Sequence, residues 1–223
     1  MQPKTEMSAH MKFPAGLYGV TPEWNDALRL EDAVRAAARG GMRALQLRHK
    51  TADTALRHKL GSHMRDVCQE LGVVFLINDD WRLAKEIGAD GVHLGRDDET
   101  PAIVRKEIGP EMLIGVSCYA DPLRAQRFIE SGVAYIAFGA MFASRTKPLA
   151  PPAPLSVLQT GREICLALPQ PRPAVVAIGG IDTSNAKQIY QAGADAIAVV
   201  GGLFLADDIE AAARALSNSF SID

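Results

Sequence analysis

Short apolar runs alternate with amphipathic stretches along almost the whole chain. Runs at 16–20, 42–48, 73–77, 90–94, 112–117, 134–138, 174–178 and 196–200 are largely uninterrupted, as in strands buried on both faces of a parallel sheet. Stretches of helical character lie between them, at 30–39, 51–71, 81–87, 101–108, 121–131, 155–168, 183–192 and 206–216. Several carry helix punctuation: Asp121-Pro122 and Pro101 at starts, Gly40-Gly41, Gly72 and Gly88 at stops. Eight strand–helix units in 223 residues predict an α/β protein, a single (β/α)8 TIM barrel, in preference to an open doubly wound sheet. Residues 15–223 are assigned to the barrel, and 1–14 to a flexible N-terminal extension.

Composition narrows the function without changing the fold. With 48% hydrophobic and 22% charged residues, the chain has an ordinary core. A net charge of −2 gives no basic stripe for nucleic acid, so any anion must be bound by local placement. Cys68, Cys118 and Cys165 show no metal or disulfide spacing and fit reduced thiols in a cytoplasmic protein. Cys118 reads as a packing residue. Residues 1–14 hold no secretory signal, and the longest apolar run, 196–206, is too short for a bilayer, so no membrane partner is expected.

In a (β/α)8 barrel, chemistry collects at the carboxyl ends of the strands. The sixth run empties into Ser144-Arg145-Thr146-Lys147, which reads alone as an anion site or equally as a solvated loop. The second ends in Gln46-Leu47-Arg48-His49-Lys50; strand alternation puts Gln46, Arg48 and Lys50 on one side, where two cations call for an anion. Asn78-Asp79-Asp80 and Gly95-Arg96-Asp97-Asp98 follow the third and fourth runs. Asp80 and Asp97 are expected as helix caps, Asp79 and Asp98 as ligands of a magnesium ion. Ser117 ends the fifth run and is expected to hydrogen-bond substrate, while His93 reads as a satisfied structural histidine. Gly179-Gly180 and Gly201-Gly202 end the last two strands and predict a second anion site of backbone N–H groups. Two phosphate sites beside a metal suggest a diphosphate-bearing substrate meeting a monophosphate-bearing one.

Taken together, Gln46-Leu47-Arg48-x-Lys50, Asn78-Asp79, Gly91-Val92-His93-Leu94-Gly95-x-x-Asp98, Gly115-Val116-Ser117, Ser144-x-Thr146-Lys147 and Gly179-Gly180-Ile181 resemble the thiamine-phosphate synthase family, in its order and over nearly the whole chain. The resemblance implies joining of a hydroxymethylpyrimidine diphosphate to a thiazole phosphate, with Mg²⁺. It assigns Gln46, Leu47, Arg48, His49, Lys50, Asn78, Ser117 and Lys147 to the pyrimidine diphosphate. Of these, Lys147, Arg48, Lys50 and Ser117 are the expected catalytic set. Asp79 and Asp98 fall to the metal, and Ser144, Arg145, Thr146, Gly180, Val200 and Gly201 to the thiazole phosphate. The partners implied are small-molecule substrates, and a homo-oligomer is left open.

Three positions depart from the family pattern: Arg96 stands where glutamine is usual, Ala140 where proline is, and Gly201 where serine is. The related thiazole tautomerases usually lack Asn-Asp-Asp after the third strand and place a histidine after the fifth-strand serine; here Cys118 follows Ser117. A non-catalytic barrel that binds thiamine precursors or phosphate is the other alternative.

Overall fold

The structure, a computed structural model, describes residues 12–143 and 152–220. Eight parallel strands close into a barrel in chain order: β1 (Gly16–Val20), β2 (Met42–Leu47), β3 (Val74–Asn78), β4 (Gly91–Leu94), β5 (Leu113–Tyr119), β6 (Tyr135–Gly139), β7 (Ala174–Ile178) and β8 (Ala196–Val199). The helices are α1 (Ala27–Arg39), α2 (Thr54–Leu71), α3 (Trp81–Ile87), α4 (Pro101–Ile108), α5 (Pro122–Ile129), α6 (Ser156–Leu166), α7 (Ala186–Gln191), α8 (Gly201–Phe204) and α9 (Ile209–Asn218). The predicted architecture is the observed one. The chain differs after β8, where the four-residue α8 precedes the last long helix.

Five of the nine described helices share a device at their starts. Asp26, Asp53, Asp80, Asp121 and Asp208 each accept a hydrogen bond from a backbone N–H of the following first turn, satisfying donors the helix itself leaves open. The cap at Asp80 was anticipated; the one at Asp97 is not formed. The cap position of α4 belongs to Thr100, and Asp97 is exposed, because the loop after β4 runs three residues further before the helix begins.

Strand alternation divides the core in two. Leu45, Leu47, Phe75, Ile77, Val92, Ile136, Val175 and Ile197 point outward into the helix layer, while Tyr18, Ala44, Leu76, Tyr135, Ala137, Val176 and Ala198 fill the barrel. Two tyrosines are the largest side chains of the interior, and small neighbours make room for them. Tyr18 lies in register with Ala44 and Ala198, and Tyr135 with Gly115 and Ala174. A Cβ on Gly115 would run into the Tyr135 ring.

Phe13 closes the interior from below, its ring 5.2 Å from Tyr18 and 4.4 Å from Tyr135. The barrel therefore begins before residue 15, and residues 12–14 are not a loose extension. Phe13 is 1% exposed, and an apolar ring between two others is worth more buried than in water. The main-chain N–H of Lys12 donates to the Arg172 carbonyl, 3.0 Å away. Arg172 in turn forms a two-pronged ion pair with Asp195 (2.7 and 2.8 Å), which also accepts from the Val175 N–H.

Both members of that pair are under 10% exposed, so neither charge has water to fall back on. Asp195→Ala should lower the unfolding free energy by roughly 3–5 kcal/mol, since it strands the Arg172 guanidinium. Urea denaturation followed by circular dichroism measures this. A loss below about 1 kcal/mol, the range of an exposed pair, would contradict it.

Candidate active site

The carboxyl end of β2 departs from simple alternation because the strand stops at Leu47. Gln46 points into the barrel and is buried. Leu47 points outward, and a Cβ on Gly61 of α2 would lie 3.8 Å from its methyl group. Arg48, half-buried, donates to the Glu23 carboxylate at 3.0 Å. Hydrogen bonding from Thr51, then the charge of Arg48, pulls Glu23 below the usual carboxylate range. His49 is buried in the loop, its Nε2 2.7 Å from Asn25 Oδ1 and its Nδ1 accepting from the Ala52 N–H. The expected common face of Gln46, Arg48 and Lys50 is thus divided among three environments. Leu47 and His49 can offer a ligand only their main chain.

Lys50 reaches to β3, where its Nζ lies 3.1 Å from Asp79 Oδ2. Asp79 takes a positive φ of 64°, a left-handed conformation that aspartate tolerates better than most residues. Its main chain is held by the His93 carbonyl, which accepts from its N–H at 2.8 Å. Asp98 folds back across the loop after β4, and the Gly95 N–H donates to its Oδ2 at 2.6 Å. A Cβ on Gly95 would stand 3.1 Å from Asp98 Oδ2 and 3.9 Å from Asp79 Oδ1, so the two carboxylates converge over this glycine. Burial, above all, raises the proton affinity of Asp98; the Gly95 N–H opposes this, and the neighbouring Asp79 carboxylate reinforces it. Among the described residues no group of three or more potential metal-binding side chains is gathered, and the mouth offers this carboxylate pair instead.

Ser117 is inward-facing on β5, beside an irregularity in the β5–β6 register at Ser117/Tyr119, the kind of local break that re-aims a side chain. Its carbonyl accepts from Arg124 Nε at 2.9 Å, and the same guanidinium reaches the Gly95 carbonyl at 3.2 Å. Arg124 thus links the serine strand to the carboxylate loop. It was missed in the sequence because it lies in the first turn of a helix, with nothing local to separate it from a solvated arginine. Glu23 was missed for a similar reason. Arg96 lies over the Tyr119 ring, 4.3 Å from its centroid.

Across the mouth, Gly179 and Gly180 both have positive φ (105° and 64°). Gly180 was expected to be glycine so that a phosphate could approach its backbone. The nearer constraint is internal: a Cβ there would press on the Ala143 carbonyl at 2.5 Å and on Phe142 at 2.8 Å. Asn185 Nδ2 donates to the Gly180 carbonyl. Gly201 has open surroundings, with only a Leu205 methyl at 3.6 Å from a built Cβ, and Val200 precedes it as the cap residue of α8. Ser144, Arg145, Thr146 and Lys147 lie outside the described residues, as do residues 148–151. A larger cleft, about 420 Å³, opens beside Arg65, Cys68 and Asp90 at the amino ends of the strands. It carries no comparable cluster, and Asp90 is spent on the Phe75 N–H.

The closed barrel, with its polar residues gathered at the strand carboxyl ends, is that of a (β/α)8-barrel enzyme. Residues 17–203 match the family model described as thiamine monophosphate synthase. The thiamine-phosphate synthase of Bordetella pertussis (strain Tohama I) is 58% identical over 213 residues, covering 96% of this chain and 98% of its own. That of Chromobacterium violaceum is 47% identical, with coverage of 92% and 96%. A solved structure of thiamine phosphate pyrophosphorylase from Pyrococcus furiosus superposes with a TM-score of 0.76 at 30% identity, over 95% of this chain and 96% of that one. The chain belongs to the thiamine monophosphate synthase family. No helix among the described residues is long and apolar enough to cross a membrane.

The two glycines predict opposite outcomes. Gly201→Ser should leave thermal stability within about 0.5 kcal/mol of the parent, as open sites do. Gly180→Ala should cost roughly 1–3 kcal/mol through backbone strain and collision. Differential scanning calorimetry of both proteins tests the pair, and equal melting temperatures would refute the packing account of Gly180.

Proposed function

We propose that this protein joins 4-amino-2-methyl-5-(diphosphomethyl)pyrimidine to thiazole phosphate, giving thiamine phosphate and diphosphate. Enzymes of this kind are transferases, and the family relationship supports that class directly. The observation that carries the detailed reading is the division of the mouth. Lys50, Asp79 and Asp98 gather beside β3 and β4, while the glycine turn after β7 lies four strands from β3 around the closed ring. Two polar regions on opposite sides of the ring suit one diphosphate-bearing and one monophosphate-bearing substrate.

In the reaction, the bond from the pyrimidine methylene carbon to the diphosphate oxygen breaks, and diphosphate leaves with both electrons. The thiazole nitrogen lone pair then forms the new C–N bond to that carbon. No proton has to be removed by the protein, so positioning and stabilisation of the leaving group carry the work. Lys50, Arg48 and Lys147 are assigned to the diphosphate; Arg48 keeps N–H donors beyond the one given to Glu23. Gln46, Asn78 and Ser117, with the main chain of Leu47 and His49, are assigned to the pyrimidine. Ser144, Arg145, Thr146, Gly180, Val200 and Gly201 are assigned to the thiazole phosphate.

Asp79 and Asp98 would hold a magnesium ion. Two convergent carboxylates fit the one or two that this ion takes alongside water and substrate phosphate, and the Lys50 ammonium beside Asp79 marks a place where positive charge is favoured. When bound, the ion would neutralise charge building on the departing diphosphate. The three free cysteines are buried, which suits the reducing cytoplasm where we place the enzyme.

Diphosphate release should require both substrates and should stop when EDTA removes the metal. Release from the pyrimidine diphosphate alone, at the same rate, would count against the transfer reaction. Asp79→Asn keeps a residue that tolerates the left-handed backbone but removes the charge. It should raise the magnesium concentration for half-maximal rate by at least about tenfold, since loss of even an outer-shell partner of a ligand costs that much. An unchanged magnesium titration would sink the ligand assignment.

A further inference from the structure

A chain of hydrogen bonds crosses the barrel interior and ends at the pyrimidine side of the mouth at both extremities. Gln46 Nε2 donates to Asn78 Oδ1 at 2.5 Å, and Tyr18 Oη donates to Gln46 Oε1 at 2.7 Å. Tyr18 Oη and Tyr135 Oη are 2.8 Å apart. Tyr135 Oη lies 2.8 Å from His93 Nδ1, and His93 Nε2 lies 2.9 Å from Ser117 Oγ. Six residues from six strands are joined, each by side-chain atoms.

With the Gln46 amide oriented so that its Oε1 faces Tyr18 and its Nε2 faces Asn78, the sense of every other link follows from counting protons. A phenol or a serine hydroxyl has one hydrogen to donate, and a neutral imidazole donates through one nitrogen and accepts through the other. Burial raises the proton affinity of both tyrosines, so each keeps its hydrogen. Tyr18 gives its hydrogen to Gln46, so Tyr135 must give its own to Tyr18. Tyr135 can then only accept from His93, which puts the imidazole hydrogen on Nδ1. Nε2 is left as an acceptor, and Ser117 gives its hydrogen to it. At the mouth, Ser117 therefore offers lone pairs and no hydrogen. At the other end, Asn78 has its oxygen turned to Gln46 and offers its NH₂. To reverse one end, every link between must reverse, including both amides.

We propose that this network is a specificity determinant: it fixes Ser117 as an acceptor and Asn78 as a donor, so that the site selects a heterocycle with an exocyclic amine and an acceptor ring nitrogen. Tyr18, Tyr135 and His93 are positioning residues in this scheme, acting through Ser117 and Asn78. The inference rests on the proposed reaction and names the feature by which that site recognises its pyrimidine. A 4-oxo analogue, whose exocyclic group accepts instead of donating, meets Ser117 oxygen against oxygen.

The test compares kcat/KM for the 4-amino pyrimidine diphosphate and its 4-oxo analogue, at about pH 8 where an ordinary imidazole is neutral. The parent enzyme should prefer the amine on the order of 10²-fold or more, as a site with a committed hydrogen-bond sense does. Tyr135→Phe cuts the chain at its middle and frees the Ser117–His93 half to take either sense. The preference should narrow by about tenfold, the value of roughly one hydrogen bond, with KM for the thiazole phosphate unchanged. Tyr18→Phe cuts the neighbouring link and should narrow it likewise, so it decides the matter if Tyr135→Phe does not fold. A folded variant that keeps the parental preference overturns the proposal. Failure of the parent to release diphosphate from the amine substrate overturns the reaction reading instead, and the inference with it.

Discussion

Two phenol hydroxyls buried in the centre of an eight-stranded barrel have to be hydrogen-bonded, and much of the site follows from how that is done. The interior of such a barrel must be filled by side chains. Here Tyr18 and Tyr135 fill it because their neighbours in register are alanine or glycine. Each hydroxyl left unpaired would cost about 1–3 kcal/mol. The pair solve this by bonding to one another and then upward, to Gln46 on one side and His93 on the other. The polar floor of the mouth is thus continuous with the apolar plug beneath it, down to Phe13.

The charges at the mouth follow a different logic. Lys50 pairs with Asp79 and Arg48 with Glu23, so each of these two cations is balanced by a carboxylate in the free protein. The Lys50 side chain is 54% exposed, and pairs this open to water are worth little. Such a pair can be exchanged for a substrate oxygen at small cost. The buried Arg172–Asp195 pair at the barrel floor is the opposite case. It has two short bonds, almost no water, and no ligand to exchange with.

How much of this could be read from sequence depended on whether the cause was local. Strands and helices were legible because buried parallel strands must be apolar and helices need caps and stops. Asp79 and Asp98 stood out as carboxylates at adjacent strand ends, and the structure brings them together over Gly95. The hydrogen-bond chain was not legible. Its central contact joins Tyr18 to Tyr135 across 117 residues, and nothing near either residue distinguishes it from an ordinary core tyrosine. His93 could be recognised as satisfied but not by what. The neutralising role of Glu23 was hidden in the same way, as was the anchoring of residues 12–14 by a ring that packs among distant side chains. Helix α8 escaped because two glycines at its start read as loop, while a helix of four residues leaves no periodic trace.

The departures from the family pattern gain a physical meaning that sequence alone did not supply. Arg96, where glutamine is usual, spreads its guanidinium over Tyr119, a contact worth roughly 0.5–1 kcal/mol. Tyr119 itself carries a positive φ of 56° at the end of the strand that bears Ser117. The arginine therefore braces the loop of Asp98 against that strand end, alongside Arg124, which bonds the Ser117 and Gly95 carbonyls. Gly201 lacks the usual hydroxyl but leaves space for one, and its backbone N–H is unaffected by the change of side chain. A barrel losing its activity would be expected to lose first the strained or charged groups that only catalysis maintains. Asp79 keeps its left-handed backbone and its lysine, and Asp98 stays turned toward it over Gly95. Such costs persist where a function uses them, which is the physical argument for a working transferase over a precursor-binding relic.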